Sequence, residues 1–182
     1  TDGSSADDMT GHGTHVAGTI AAKANNNLGV VGVAPGAKVV AIRIFDAEES
    51  TTYSSLLDAM NYVYSTITNS DDVINMSFGS YGYLFDTYRD IVLNLASKAR
   101  VVISAGNSSG NTNFYDHARI KSSNIYIVSS ITKNNDSFSS FSNYGTSVTY
   151  AAPGSDIISC APGGEYQYMS GTSMATPHVA GM

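Results

Sequence analysis

With 182 residues, 42% of them hydrophobic and 13% charged, the chain has the composition of a one-domain globular protein rather than of a disordered segment. Its net charge of −6, without any Lys/Arg cluster, argues against nucleic acid as a partner, and no apolar run reaches membrane-spanning length. The single cysteine, Cys160, excludes an internal disulfide framework and a cysteine-based zinc site.

Helical and extended patterns alternate along the chain. Apolar spacing predicts helices over residues 11–22, 54–68 and 84–99, and a last helix that begins after a loop near residue 171. Apolar runs predict strands over residues 38–45, 73–77, 101–105, 125–131 and 147–151, the first of them buried on both faces. The alternation predicts an α/β fold in which helices cover both faces of a mostly parallel central sheet.

A serine lies at the start of the last predicted helix. Residues 171–181 read GTSMATPHVAG, a loop that turns into a helix with Ser173 in its first turn. There the side-chain Oγ would lie near free backbone N–H groups and the positive end of the helix dipole, which suits a nucleophile beside an oxyanion site. The same run, taken alone, is also typical of an ordinary Ser/Thr helix cap.

A serine nucleophile needs a base, because a free hydroxyl attacks poorly near neutral pH. Residues 11–18 read GHGTHVAG and offer His12 at a helix start between two glycines. These residues leave three interpretations open: a structural histidine, a metal pair of His12 and His15, and a general base. The metal pair is the weakest of the three, since no His-Glu-x-x-His pattern and no third ligand is evident.

Five segments in order resemble the motifs of the subtilisin-like serine proteases, the subtilases of peptidase family S8. They are GHGTHVAGT at 11–19, INMSFG at 74–79, SAGN at 104–107, AAPG at 151–154 and GTSMATPHVAG at 171–181. The resemblance implies a subtilisin-like three-layer fold and a serine endopeptidase that hydrolyses peptide bonds through an acyl-enzyme. It also implies that residues 1–182 are part of a catalytic domain, with material missing at both ends.

The resemblance gives roles to individual residues. His12 corresponds to the general base, Ser173 to the nucleophile, and Asn107 to the side-chain donor of the oxyanion hole, shared with the Ser173 N–H. Two further segments are implied to contact substrate: an extended segment that pairs with the substrate backbone, and one wall of the pocket for the side chain before the scissile bond. The first segment is Ser77, Phe78 and Gly79, and the second is Ser104, Ala105 and Gly106.

Residues 25–30, NNNLGV, resemble a calcium loop of the family, with Asn26 as the side-chain ligand. An ordinary Asn-rich surface turn fits the same letters about as well. The resemblance implies no cofactor for catalysis, polypeptide substrates, a propeptide in the precursor, and an extracellular or secretory location.

The third member of the family's triad, an aspartate, has no match. It normally follows an apolar strand in an Asp-(Ser/Thr)-Gly context, and Asp2, Asp7 and Asp8 lie in no such context. We therefore expect the catalytic Asp, with its strand, to lie upstream of residue 1, and the chain as given to be inactive alone. Asp8 instead resembles an acidic residue that often precedes the histidine motif and flanks the substrate cleft.

Two other features have no firm role from the sequence. The loop containing His117 departs from the family pattern, and that histidine is given no function. The acidic pair Glu48 and Glu49 either favours basic substrate residues some distance upstream of the cut or forms a solvated turn.

Two hypotheses of other classes compete with the protease. A catalytically silent subtilase domain could act as a peptide-binding module, but it would have no chemical need for His12, Asn107 and Ser173 together. Nucleotide binding by the α/β sheet lacks a glycine fingerprint after the first strand.

Overall fold

The computed structural model describes residues 7–79, 85–133 and 137–182. In these ranges there are four α-helices, α1 (His12–Ala21), α2 (Tyr53–Thr66), α3 (Asp86–Ala96) and α4 (Thr172–Ala180). The same ranges contain six strands, β1 (Val73–Met76), β2 (Arg100–Ser104), β3 (Ile125–Ile131), β4 (Tyr150–Pro153), β5 (Ile157–Cys160) and β6 (Tyr166–Met169). No helix of the described ranges is both long and apolar enough to cross a membrane.

Strands β1 to β4 form one sheet in the order β1-β2-β3-β4, and every neighbouring pair is parallel. In its register Ile74 lies opposite Val101, and Ile103 lies opposite Ile127. Parallel neighbours need crossover connections, and α3 provides the one between β1 and β2. The predicted parallel sheet is confirmed.

Strand β2 shows that helices cover both faces of this sheet. Val101 and Ile103, on one face, are buried in a core that includes Val92 of α3. Val102, which points the other way because side chains alternate along a strand, packs in a second core with Ala175 of α4. Two cores on opposite faces make the three layers that the sequence predicted.

Helix α1 packs against α4 and against β5 of a separate antiparallel hairpin, β5-β6. Gly18 allows the close contact with β5, since a β-carbon at this position would lie 2.5 Å from the Oγ of Ser159. The Oγ of Ser159 donates a hydrogen bond to the carbonyl of His15 (2.8 Å). The His15 ring is fully buried, and its Nε2 lies 2.9 Å from the carbonyl oxygen of Ile157. His15 therefore anchors α1 to the hairpin.

Several predicted elements differ from the structure. Residues 38–45 form no hydrogen-bonded strand, and Val40 is 68% exposed, so the prediction of a strand buried on both faces is wrong. An apolar run becomes a strand only where a neighbour completes its hydrogen bonds, and in the described sheet β1 is the end strand on its side. The strand predicted over 147–151 begins later, at Tyr150, and the β5-β6 hairpin was not predicted. The helix predicted over 84–99 ends at Ala96, and Leu84 lies outside the described residues.

Candidate active site

Ser173 is the second residue of α4, in the first helical turn as predicted. Its Oγ donates a hydrogen bond to the carbonyl of Ser77 (3.0 Å). Within the described part of the chain its backbone N–H makes no hydrogen bond, as is usual for the first N–H groups of a helix. A free N–H and the positive end of the helix dipole thus lie next to the hydroxyl.

A proline in α4 explains why Ser77 is paired with Ser173. Pro177 has no N–H, so the carbonyl four residues earlier, that of Ser173, has no donor within the helix. The Oγ of Ser77 supplies this donor at 2.8 Å, and the side chain of Asn75 donates in turn to that Oγ (2.9 Å). Ser77 and Ser173 therefore exchange two hydrogen bonds and join the end of β1 to the start of α4.

Asn107 lies beside the same helix start, at the carboxyl end of β2. Its Oδ1 accepts hydrogen bonds from the backbone N–H and the Oγ1 of Thr172, both at 2.8 Å. These two bonds fix which end of the amide faces Thr172, and they leave Nδ2 as the outward donor. An outward amide donor and the free N–H of Ser173 can both donate to one developing oxyanion.

The loop that carries Asn107 is held by Asn143, a fully buried residue that the sequence analysis did not select. The Asn143 Nδ2 donates to the carbonyl of Ala105 (2.9 Å), and its Oδ1 accepts from the N–H groups of Ser108 (3.0 Å) and Gly110 (2.9 Å). Asn143 is distant in sequence, in a polar connection between β3 and β4, and no local pattern marks it as a loop anchor.

His12 is the first residue of α1, and with Ser173, Asn107 and Glu49 it lines a cavity of about 290 Å³. Burial lowers the pKa of His12 below its ordinary value, although the carboxylates of Glu49 and Asp8 act in the opposite direction. The neutral, basic form is therefore favoured at neutral pH. The side chains of His12 and Ser173 line the same cavity, and the Ser173 Oγ donates to the Ser77 carbonyl rather than to the imidazole.

Asp8 holds the start of α1 and thereby places His12. Its carboxylate accepts from the N–H groups of Thr10 (3.2 Å), Gly11 (2.9 Å) and Thr14 (2.6 Å), and from the Oγ1 of Thr14 (2.6 Å). Partial burial raises the pKa of Asp8, but these hydrogen bonds outweigh it, and the pKa lies below its usual value. Asp8 acts as the cap of α1, a role that the sequence analysis did not assign.

The two segments expected to contact substrate lie at the carboxyl ends of β1 and β2, beside the start of α4. The Oγ of Ser104 donates to the carbonyl of Phe78 (3.3 Å), which links one segment to the other. The N–H of Gly106 donates to the Oγ1 of Thr172 (3.2 Å), which links the second segment to α4. In parallel α/β sheets this edge is where ligands bind.

Asn26 lies apart from these residues, on a second cavity formed by the loop of residues 23–31. Its Oδ1 accepts a hydrogen bond from the N–H of Leu28 (3.1 Å), the arrangement of an ordinary Asx turn. In the described ranges no three or more His, Cys, Asp or Glu side chains lie together in a way that could hold a metal ion. This statement does not cover amide and carbonyl oxygens as ligands.

The fold and the site define an α/β protein with a serine and a histidine at two helix starts. The family model of the subtilases matches residues 1–182, and the chain belongs to the subtilase family. It is 40% identical over 175 residues to a thermophilic serine proteinase of Bacillus sp. (strain AK1), covering 96% of this chain and 42% of that protein. It is also 40% identical to thermitase of Thermoactinomyces vulgaris, covering 94% of this chain and 59% of thermitase.

A solved structure titled as a cold adapted subtilisin-like serine proteinase matches with a TM-score of 0.85 and 38% identity, over 96% of this chain and 60% of that one. A protease of Pseudoalteromonas arctica PAMC 21717 matches with a TM-score of 0.81 and 36% identity, over 93% of this chain and 56% of that one. The subtilisin-like fold is thereby confirmed. The chain spans about half the length of the curated relatives it matches, from 42% to 59% for these two.

We expect Asp8→Ala to lower the free energy of unfolding by about 1 kcal/mol at pH 7, the typical cost of losing a helix cap. Because the pKa of Asp8 is depressed in the folded state, this stabilisation is present above the unfolded pKa of about 3.9 and is lost as pH falls through the folded pKa. Urea unfolding of the wild type and of Asp8→Ala, at pH 7 and at progressively lower pH, should show a difference in the free energy of unfolding that shrinks as the pH falls. Asp90→Ala, at an exposed position of α3, is the control. A difference that did not shrink on acidification would contradict this role.

Ser77→Ala removes the donor to the partly buried Ser173 carbonyl, and we expect the free energy of unfolding to fall by about 1 kcal/mol, the lower end of the cost of an unsatisfied buried acceptor. Urea unfolding, with Ser173→Ala present in both proteins, measures this change. Ser54→Ala, at an exposed position of α2, should leave stability unchanged or slightly higher. Equal stability of the Ser77 and Ser54 variants would show that the carbonyl finds another donor.

Proposed function

We propose that the protein is a serine endopeptidase in which Ser173 is the nucleophile, His12 the general base, and Asn107 an oxyanion-hole donor. The observation that carries this proposal is the arrangement around the start of α4. The Asn107 amide is oriented by Thr172 so that its NH₂ faces outward, beside the free N–H of Ser173 and across the cavity from a neutral His12. Membership of the subtilase family supports the same reaction.

The chemistry follows from these positions. His12 accepts the Ser173 proton while the Oγ attacks the peptide carbonyl, and the negative charge that develops on the carbonyl oxygen is stabilised by the Asn107 Nδ2–H and the Ser173 N–H. His12 then gives the proton to the leaving amine as the C–N bond breaks, which leaves an acyl-enzyme. Water then attacks the ester carbon while His12 accepts its proton, and His12 gives that proton to the Ser173 Oγ as the ester C–O bond breaks, which releases the acid and restores Ser173.

The aspartate that orients His12 belongs, in this proposal, to a part of the protein outside residues 1–182, which then form part of a catalytic domain. Within the described ranges no carboxylate is hydrogen-bonded to His12. Both oxygens of Asp8 are already used to cap α1, which makes Asp8 unsuited to that role. No observation favours a catalytically silent domain, the other hypothesis drawn from the sequence.

The proposed substrates are polypeptides in extended conformation. The segments 77–79 and 104–106 flank Ser173 at the sheet edge, where an added strand can pair with their backbones. We extend the proposal to a propeptide in the precursor and to secretion, both of which rest on family membership.

We also propose a structural calcium ion at the loop of residues 25–30. Its neutral oxygens, including the Asn26 Oδ1, are hard ligands of the kind calcium prefers. The loop itself contains no Asp or Glu, and Lys23 lines the same cavity, so the charge-balancing ligand must come from elsewhere. Catalysis needs no cofactor in this mechanism.

The test of the proposed function uses the complete protein with a serine-directed phosphonylating reagent and a denatured protein substrate. We expect the reagent to label Ser173, as located by peptide mass spectrometry, and to abolish substrate cleavage. Ser173→Ala should be neither labelled nor active. A folded, mature wild type that neither reacts with the reagent nor cleaves the substrate would refute the proposal.

The carboxylate of Glu49 affects the pH dependence of the proposed reaction, because it raises the pKa of His12 against the larger, lowering effect of burial. Glu49→Gln removes that charge, so the pKa of His12 falls further. The base must be neutral to act, so the acid limb of the kcat/KM profile should move to lower pH. Glu48→Gln, one residue away, should move it less, and both shifts should shrink at high salt. A limb displaced toward higher pH in Glu49→Gln would contradict the sign.

A further inference from the structure

Asn75 lies in β1, on the face of the sheet that α4 covers. Its neighbours in the strand, Ile74 and Met76, pack in the core on the α3 side, and side chains alternate along a strand, so Asn75 points the other way. The residue opposite Asn75 in the register is Val102 of β2, which is 2% exposed and packs in the second core. Packing alone would therefore favour an apolar residue at position 75.

The hydrogen bonds around Ser77 determine which end of the Asn75 amide faces it. The Ser77 Oγ carries one proton, and the Ser173 carbonyl oxygen, 2.8 Å away, can only accept it. The Asn75 atom that lies 2.9 Å from the same Oγ must therefore be the donor, Nδ2. The Oδ1 of Asn75 is then turned away from Ser77, and it is buried without a hydrogen-bond partner among the described residues.

The unpaired Oδ1 is a cost that stability does not explain. A buried acceptor without a partner destabilises the folded protein, whereas an apolar side chain of similar shape would not. Proteins keep such locally unfavourable choices mainly at functional sites. The presence of asparagine at position 75 therefore points to a use for its Nδ2 donor.

In the proposed reaction this donor becomes important when the Ser173 proton leaves. In the structure the Ser173 Oγ donates that proton to the Ser77 carbonyl. Once the proton passes to His12, this hydrogen bond is lost, and the bond from the Ser77 Oγ to the Ser173 carbonyl remains. The Asn75 Nδ2 donates to a lone pair of the Ser77 Oγ, so the Ser77 proton stays directed at Ser173. The N–H and Oγ of Ser173 are thereby held in place during the attack.

We propose that Asn75 is a positioning residue for catalysis, which acts on Ser173 through the hydroxyl of Ser77. Asn75 is not among the described residues that line the cavity shared by His12 and Ser173. Its loss should therefore lower kcat and leave KM nearly unchanged. This inference rests on the proposed endopeptidase function and adds to it a residue outside the cavity.

The test measures kcat and KM of the complete protein on one peptide substrate, with active sites counted by the phosphonylating reagent. Asn75→Leu keeps the number and branching of side-chain heavy atoms but removes both the donor and the unpaired acceptor. We expect kcat to fall about tenfold and KM to stay within about twofold of the wild type. Asn75→Ala, which adds no volume, should show the same loss of kcat.

Stability is measured separately, by urea unfolding with Ser173→Ala present in every protein compared. The urea midpoint of Asn75→Leu should not fall, because the unpaired acceptor is removed together with the donor. The matched control is Asn61→Leu, at an exposed position of α2, which should keep the wild-type kcat and KM.

The route through Ser77 is tested by combining substitutions. If Asn75 acts through the Ser77 hydroxyl, adding Asn75→Leu to Ser77→Ala should change kcat by less than about twofold. A further tenfold loss in that background would overturn the inference.

The inference is also overturned if both Asn75 variants keep kcat within about twofold of the wild type, or if neither folds, since Asn75 would then be a structural residue. In each of these cases a wild type that cleaves the peptide leaves the endopeptidase function standing. A wild type that neither cleaves the peptide nor reacts with the phosphonylating reagent overturns the proposed function itself.

Discussion

The exchange of two hydrogen bonds between Ser77 and Ser173 is the constraint on which the rest of the site depends. Pro177 removes the donor that the Ser173 carbonyl would have in an unbroken helix, and the sheet supplies the replacement. The start of α4 can therefore take only the position in which the end of β1 reaches it. This holds Ser173, the proposed nucleophile, against the sheet edge.

The two proposed catalytic side chains share one design, since each stands in the first turn of a helix. A helix start exposes unpaired N–H groups and the positive end of the dipole. At α1 the carboxylate of Asp8 accepts the N–H of Thr14, and the Oγ1 of Thr10 accepts that of His12. At α4 the Asn107 Oδ1 takes the N–H of Thr172, and the next N–H, that of Ser173, stays free for an oxyanion. The same backbone feature thus serves stability in one helix and, in the proposed mechanism, catalysis in the other.

Polar side chains far from the nucleophile also shape the site. Asn143 is fully buried, and its side chain makes three hydrogen bonds to the backbone of the loop that carries Asn107. His117, in the connection after β2, is also buried, and a β-carbon placed on Gly79 would lie 2.7 Å from its Nε2. The connection after β3 therefore positions the loop that carries Asn107, the proposed oxyanion donor, while the strands themselves provide the frame.

The sequence alone determined the class of fold, because apolar periodicity and run length depend only on local order. It located Ser173 and His12 at helix starts, since caps and glycines mark those positions within a few residues. Such local patterns do not identify the residues with which these side chains form hydrogen bonds. Ser77 and Ser173 are 96 residues apart, and the loop anchored by Asn143 is 33 to 38 residues away from it.

Only the tertiary structure decided these pairings, because a hydrogen bond between distant residues depends on how the helices and strands pack and leaves no periodic trace. The tertiary structure also decided the conformation of residues 38–45. Their apolar side chains fit a strand pattern, but their backbone has no neighbouring strand in the described sheet. An apolar pattern records which side chains favour burial, whereas a strand also needs a partner for its N–H and C=O groups. That partner is a property of the whole sheet.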